Sequence, residues 1–423
     1  MRRVGRFFGG FLAVALVISA GLAWSAGKAA EKINILMPAP FADATATLVK
    51  QFNRDHRGKI RLTVTRGPRE TESLSDLAIS SLLLGAPPFD ALLIDVTWLP
   101  KYAEAGWLEP LDAWFNPTDR KSLVQGAGLG NSYANQLYRW PLVADVGMLY
   151  WRTDLMPEAP STPEQLVQIS RQLQQSGKVA YGFVWQGRQY EGLSCDYLEV
   201  LKGFGGDWLD PQTGQPALDT PEAIAAAHWM HSLIRDGISP KAVTNFSEPE
   251  SLQSFKAGDS AFMRNWPYAW AELQKQDSAV RGNVGVTTMV ALPGEQGRAT
   301  LGSWGLSLLH HSKHKEAAVQ AIRYLTSEAA QKERFLKDGY TPTSSNLFHD
   351  PELIAVSAVL PQIRKALSLA IERPPTPLYA QLSDVLQRRL SAVLTNEQSV
   401  DRAMEQAQSN SDVILQSAGG HRS

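Results

Sequence analysis

The sequence predicts an α/β protein built from more than one lobe, and three observations carry that prediction. The chain has 423 residues, beyond the size at which a single hydrophobic core stops growing, so two lobes are the default. Strand-like and helix-like stretches alternate through its first hundred residues, as in a largely parallel sheet wrapped by helices. Ala91–Ile94 reads ALLI, a continuous apolar run of the kind a strand buried on both faces requires.

Taken in order, Lys32–Met37 (KINILM) is a short β-type run, Pro38–Asp43 reads as a loop, and Ala44–Asn53 as a helix carrying Leu48, Val49 and Phe52. Ile60–Thr65 (IRLTVT) alternates like a half-buried strand. Glu72–Leu84 has helical spacing in Leu74, Leu77, Ala78 and Leu82, and Gly85-Ala86-Pro87-Pro88 ends it. Asp95 closes the ALLI strand. Ligands of open α/β sheets sit beyond the carboxyl ends of strands, so Asp95 is a candidate site residue. Trp98–Ala105 is a short helix stopped by Gly106.

Within Arg139–Tyr150 (RWPLVADVGMLY), Trp140-Pro141 is a constrained pair and Leu142–Val146 is extended and apolar, interrupted only by Asp145. A carboxylate there is not left buried without a partner cheaply. Two readings stand: a structural acid bonded to backbone N–H groups, or an acceptor facing a ligand. Ser161–Gly177 is a helix, with Ser161 and Glu164 at capping-box spacing, Pro163 in the first turn and Gly177 as its stop. Ala180–Trp185 is strand-like and Tyr190–Gly203 helix-like, and Thr220-Pro221-Glu222 opens a helix running to Gly237.

Ser247–Gly258 is a helix with Ser247 as its N-cap, followed by a short strand, Ala261–Met263. Then Trp266, Tyr268 and Trp270 fall within five residues around Pro267. The proline fixes its own φ and moves Trp266 out of the helical region, so the segment is rigid and extended or turn-like. If it is extended, Trp266 and Tyr268 share a side and form a platform for something flat. Val284–Val290 is β-type. Gly302-Ser303-Trp304-Gly305 places Trp304 in a flexible context, with its ring either toward a ligand or folded onto the core. His314–Thr326 and Glu328–Lys337 are helical. Arg373–Tyr379 (RPPTPLY) is rigid, two helices follow at Leu382–Leu394 and Ser399–Gln408, and Ser417–Ser423 is expected to fray.

Lys+Arg number 41 against 42 Asp+Glu, a balance that gives no reason to expect nucleic acid or an anionic membrane surface as partner. Met1–Ala30 has the form of a targeting segment: Arg2, Arg3 and Arg6, an apolar run Phe7–Trp24, then a small-x-small site at Ala23-Trp24-Ser25 or Gly27-Lys28-Ala29. An uncleaved membrane anchor is the alternative, although the run is short for a span of roughly 20 apolar residues. No Cys follows it, which excludes a lipoprotein anchor. The mature chain is therefore expected to be exported and soluble, in the periplasm or its equivalent. Cys195 is the single cysteine, so no internal disulfide is available, and it reads as buried filler.

The chain has no P-loop, no GxGxxG after a strand, no HExxH, no CxxC and no GxSxG. No cofactor, metal or catalytic nucleophile is therefore expected. His310, His311 and His314 read as the solvated start of a helix rather than metal ligands. Glu191, Asp196 and Glu199 read as helix-surface charge rather than a glycosidase acid pair. What remains is rigid aromatics plus single carboxylates and arginines at element ends. That combination suits a sugar, whose C–H faces pack on Trp or Tyr while its hydroxyls need fixed donors and acceptors.

The chain resembles the extracellular sugar-binding proteins of ABC importers, the family containing the maltose- and trehalose-binding proteins, and leans toward that branch. The resemblance is carried by Phe89–Trp98, Trp140–Tyr150, Gln189–Gly206, Leu252–Trp270, Gly302–Leu306 and Arg373–Met404. It implies a two-lobed periplasmic-binding-protein fold of type II, with a ligand cleft between hinge-linked lobes. Lobe I would comprise 31–143 plus 288–330 and lobe II 144–287 plus 331–423. The chain would cross near Val143–Gly147, Val284–Thr288 and Leu325–Lys332.

Trp266 and Tyr268 match the family's sugar-stacking positions, and Trp304 its third ring. Asp95, Asp145 and Arg373 match polar contacts to hydroxyls, with Arg69 and Asp43 as looser matches. Val143 departs from the aromatic or polar residue usual in close relatives, which leaves the exact sugar open. The implied function is a monomeric, non-enzymatic binding component. It would take a disaccharide, small oligosaccharide or glucoside and deliver it to a membrane permease powered by an ATPase. A non-sugar solute and a secreted glycoside-acting enzyme are the alternatives.

Overall fold

The structure is a computed structural model describing residues 29–85 and 87–419. Except for Ala29 and Ala30, the expected targeting segment lies outside the described residues. The strands, in chain order, are β1 (Glu31–Pro38), β2 (Ile60–Gly67), β3 (Ala91–Asp95), a small hairpin of β4 (Ser132–Tyr133) and β5 (Gln136–Leu137), β6 (Trp140–Val143), β7 (Met148–Arg152), β8 (Tyr181–Val184), β9 (Ser260–Asn265), β10 (Val284–Thr287), β11 (Ala299–Thr300), β12 (Trp304–Leu308) and β13 (Ala370–Ile371).

Two sheets organise the molecule. The first has the order β2-β1-β3-β12-β6, with β1 parallel to β2 and β3, and β12 antiparallel to β3 and β6. The ALLI strand is its centre, and β3 is buried along its whole length. The second has the order β10-β7-β9-β8, with β8 and β9 parallel and the other pairs antiparallel. Each sheet carries its own apolar cluster. Ile35, Phe52, Leu93 and Ile322 belong to the first, and Trp185, Tyr197, Phe262 and Leu386 to the second. A third cluster, including Val96, Val146, Tyr150 and Leu360, packs at the junction.

The chain passes from β6 to β7 through Ala144–Gly147 and returns through Thr300–Ser303. The two passes are tied by Gly147 N–H to Thr300 C=O at 3.1 Å and by Gly302 N–H to Asp145 C=O at 2.8 Å. This corrects the second crossing, expected at Val284–Thr288. Val284–Thr287 pairs with β7, and Met289 and Val290 pack in the second lobe's cluster, so the chain leaves that lobe a dozen residues later. The third pass runs through helix Glu328–Asp338, with Ala330 in the first cluster and Phe335 at the junction.

Local expectations shift at several ends. Pro38–Asp43 is not a loop: helix Ala39–Asp55 begins there, with Pro40 in the first turn where no N–H is needed. The cap of helix Pro163–Gln175 is Thr162, whose hydroxyl accepts from Gln165 N–H, while Ser161 bonds the Gln165 side chain at 2.9 Å. The last two helices are longer than read, Tyr379–Leu394 and Val400–Gly419, because both bury apolar positions such as Leu382, Leu390, Ala403 and Ala407 against the second lobe.

Candidate functional site

Between the two sheets lies a cavity of about 660 Å³. From the first lobe it is walled by the carboxyl end of β3 and the start of β12. From the second it is walled by the turn after β9 and the N-terminus of helix Glu191–Gly203. The volume falls in the range of roughly 300–1,000 Å³ usual for small-molecule sites. All eight candidate residues from the sequence, Asp43, Arg69, Asp95, Asp145, Trp266, Tyr268, Trp304 and Arg373, line it.

The Trp266–Tyr268 segment turns rather than extends. Ala269 N–H donates to Trp266 C=O at 3.1 Å, and Tyr268 has helical φ −55° and ψ −27°. Pro267 makes that turn, and both rings reach the cavity. Trp266 is clamped: the Arg264 guanidinium lies 4.0 Å from its ring centroid, and its Nε1–H donates to Glu248 at 3.1 Å. Arg264 is itself fully buried between Asp196 (3.0 Å) and Glu199 (3.1 Å). Gly302 must be glycine here, since a Cβ would stand 2.5 Å from the Trp266 ring.

Trp304 is the first residue of β12, not part of a flexible loop. The reason is Arg139, which is buried and holds the Ser303 carbonyl and, at 2.8 Å, its hydroxyl. Trp304 meets Trp98 edge-to-face at 5.5 Å and Phe41 at 5.5 Å, and Phe41 in turn meets Tyr340 at 4.9 Å. Val143 does not line the cavity. It is buried in the sheet, with its carbonyl accepting from Ser303 Oγ at 2.8 Å.

The polar candidates divide into paired and unpaired. Arg373 bridges Asp95 (3.0 Å) and Glu191 (2.6 Å) and also donates to Leu301 C=O at 3.2 Å. Asp95 further accepts from Thr97 N–H at 2.9 Å. Asp43 pairs with the exposed Arg66 at 2.9 Å, a bond that holds its carboxyl below the usual range. Arg69 is exposed at the cavity edge. Asp145 is different. It is 7 % exposed, and its Oδ1 has no hydrogen-bond partner. Burial pushes its pKa up to about 7, against a downward pull from Thr341. Both readings of Asp145 keep support: Thr341 interacts with it from backbone and side chain, while its Oδ1 is left without a partner on a residue that lines the cavity.

The acids read as helix-surface charge are not on the surface. Glu191 is held by Arg373, by the Tyr379 hydroxyl and by Ser383 Oγ (2.8 Å), while Asp196 and Glu199 are buried against Arg264. Phe41, Tyr190, Glu248 and Tyr340 also stand on the cavity wall without being candidates in the sequence. Tyr340 has a partial signal in the sequence: it follows Gly339, whose left-handed φ of 75° ends its helix. Cys195 is buried, and the cavity reaches it. Among the described residues, no cluster of His, Cys, Asp or Glu is placed to hold a metal ion, and no helix is long and apolar enough to cross a membrane.

The profile of the family described as bacterial extracellular solute-binding protein matches residues 38–332. The chain belongs to that family. A solute-binding protein relative from Deinococcus radiodurans, named a probable ABC transporter-binding protein, is 32% identical over 350 residues, covering 80% of this chain and 83% of its own. The maltotriose-binding protein of Pyrococcus abyssi is 23% identical over 72% of this chain and 65% of its own. Among solved structures, maltose-bound MalE3 of T. maritima superposes with a TM-score of 0.85 at 31% identity, covering 91% of this chain and all (100%) of that one. The two-lobed type II fold of this extracellular solute-binding protein thus places its cavity where the lobes meet.

Proposed function

We propose that the chain is the extracytoplasmic binding component of an ABC importer. It takes a disaccharide, small oligosaccharide, glucoside or related polyol into the interlobe cavity and presents it to a membrane permease. The observation that carries this reading is the cavity itself: clamped aromatic rings from both lobes surround a buried carboxylate with a vacant acceptor oxygen. Ring faces pack on sugar C–H groups, and the vacant oxygen awaits a hydroxyl donor. Relatives that bind maltotriose and maltose support the ligand class. The acids weighed for glycoside cleavage are each held by an arginine, Glu191 by Arg373 and both Asp196 and Glu199 by Arg264, which favours binding over catalysis.

Binding would draw the lobes together about their crossings, as differential contact favours the closed form. A thermal-shift screen with trehalose, maltose, maltotriose, sucrose, glucosylglycerol and mannitol tests the reading, because a ligand of the folded form raises its melting point. A sugar that shifts the wild type should bind the Trp266→Ala variant more weakly by about 1–3 kcal/mol in calorimetry, through lost ring packing. Equal affinity would remove Trp266 from the site.

A further inference from the structure

Tyr190 immediately precedes helix Glu191–Gly203 and lines the cavity. Its backbone is extended, with φ −167° and ψ 179°, and its ring folds back over the helix's first turn. Gly192 makes that fold possible: a Cβ there would lie 2.2 Å from the Tyr190 hydroxyl. The Arg188 guanidinium covers the ring, 4.6 Å from its centroid. Two contacts reach across from the first lobe to this segment. Glu70 pairs with Arg188 at 3.1 Å, and Glu72 accepts from Glu191 N–H at 3.1 Å. The ring is therefore fixed by its own helix and by the opposite lobe.

Its hydroxyl is not matched to that degree of order. The oxygen is buried and makes no close hydrogen bond within the protein, and the Glu248 carboxylate faces it as its one weak partner. Glu248 spends one oxygen on Trp266 Nε1–H and keeps acceptor capacity beyond it. A buried hydroxyl without a close partner is costly, and its cost is relieved by whatever fills the gap.

We propose that Tyr190 is a ligand-contacting, specificity-determining residue, and that it and Glu248 together take one ligand hydroxyl, Tyr190 donating to it and Glu248 accepting from it. An ether or carbonyl oxygen can only accept and leaves Glu248 unmatched. An ammonium can only donate: the Tyr190 oxygen can accept from it, but the Tyr190 O–H is left without an acceptor on the ligand. A deoxy carbon does neither. The pair therefore selects a free hydroxyl at one position of the bound molecule. This assignment rests on the sugar reading of the cavity.

The test is calorimetry of the wild type, Tyr190→Phe and Trp266→Ala with maltose, maltotriose, trehalose and mannitol. It is followed by monodeoxy derivatives of whichever sugar the wild type binds. Tyr190→Phe should weaken that sugar about 5- to 30-fold. One deoxy derivative should bind the wild type equally weakly and lose little more with the variant. The ligand-free melting point of Tyr190→Phe should be nearly unchanged or raised, because the deleted oxygen made no close hydrogen bond to the protein. A lowered ligand-free melting point with unchanged affinity would assign the hydroxyl a structural role and overturn the proposal. Full affinity in Tyr190→Phe, with affinity lost in Trp266→Ala, overturns the Tyr190 assignment alone. No binding of any of the four sugars by the wild type overturns the sugar reading and this assignment with it.

Discussion

Asp145 is a buried acid on the cavity wall, 7 % exposed. An acid inside WPLVADVGMLY is conspicuous, and the structure leaves its Oδ1 without a partner at the cavity wall. Its folded pKa of about 7 lies above the ordinary Asp value because burial favours the neutral acid. Below the unfolded pKa both states hold the proton, and the group gives no slope. Between about pH 4 and 7 the folded state binds the extra proton, so ligand-free stability falls as pH rises, by several kcal/mol at most, and is flat above. A sugar hydroxyl donates more strongly to the ionised carboxylate than to the neutral acid, so affinity should move the other way and weaken as pH drops through 7. Asp145→Asn should flatten the ligand-free melting curve between pH 5 and 8, raise its melting point at pH 8 and cost sugar affinity; a steep slope surviving in the variant would place its source elsewhere. Asp95 and Arg373 both stand out in the sequence as candidates, but not as partners. They lie 278 positions apart, and no local pattern reports a pairing across that separation. Glu191 was misread for a related reason: helical spacing assigns a face to a residue but not what packs on that face.

At the scale of elements, the helix, strand and aromatic turn from Ser247 to Tyr268 are largely readable in the sequence, whereas helix Ala269–Leu273 is not. Each boundary there is set by local chemistry: the Ser247–Glu250 capping box, the Gly258 stop at φ 85°, and the Pro267 turn. The support beneath Trp266 was invisible, because Arg264, Asp196, Glu199 and Gln186 come together only when β9 packs on helix Glu191–Gly203. Trp304 shows the same limit, since the arginine that pins its strand is 164 residues from Ser303. The buried cluster under Trp266 yields a stability expectation. Arg264→Met removes the one cation between two buried carboxylates, and breaking such a pair costs about 3–5 kcal/mol. The urea midpoint should fall accordingly. The triple variant Arg264→Met, Asp196→Asn, Glu199→Gln should recover part of that loss, because the uncompensated charge is then gone. A triple variant no more stable than the single one would show that the penalty comes from packing rather than charge.

For the whole molecule, two lobes followed from length and strand order, yet the return crossing was placed too early, because β-type residues at Val284–Thr287 say nothing about which sheet they join. Neither could the sequence show that the lobes touch at the cleft edge. Glu70 and Glu72 at the start of helix Thr71–Leu83 reach Arg188 and the Glu191 N–H on the facing lobe, while Arg373 ties Asp95 to Glu191 in the interior. These contacts exist only while the lobes are together, so they weigh on the open–closed balance rather than on either lobe's own stability. The Glu70–Arg188 pair is half-exposed, at 53 % and 40 % of its side chains, so its worth is about 0–1 kcal/mol, up to roughly fivefold in a closed-state population. Glu70→Gln keeps Arg188 over Tyr190 and removes only the ion pair. Ligand dissociation, followed by tryptophan fluorescence in stopped flow, should quicken by about two- to fivefold at low salt, with association nearly unchanged. Raising ionic strength to about 1 M, where charges are screened beyond roughly 3 Å, should quicken the wild type toward the variant and close the gap. Identical dissociation of the two proteins at low salt would mean that the ion pair forms without holding the cleft shut, and that the interior Arg373 bridge alone sets how long the lobes stay together.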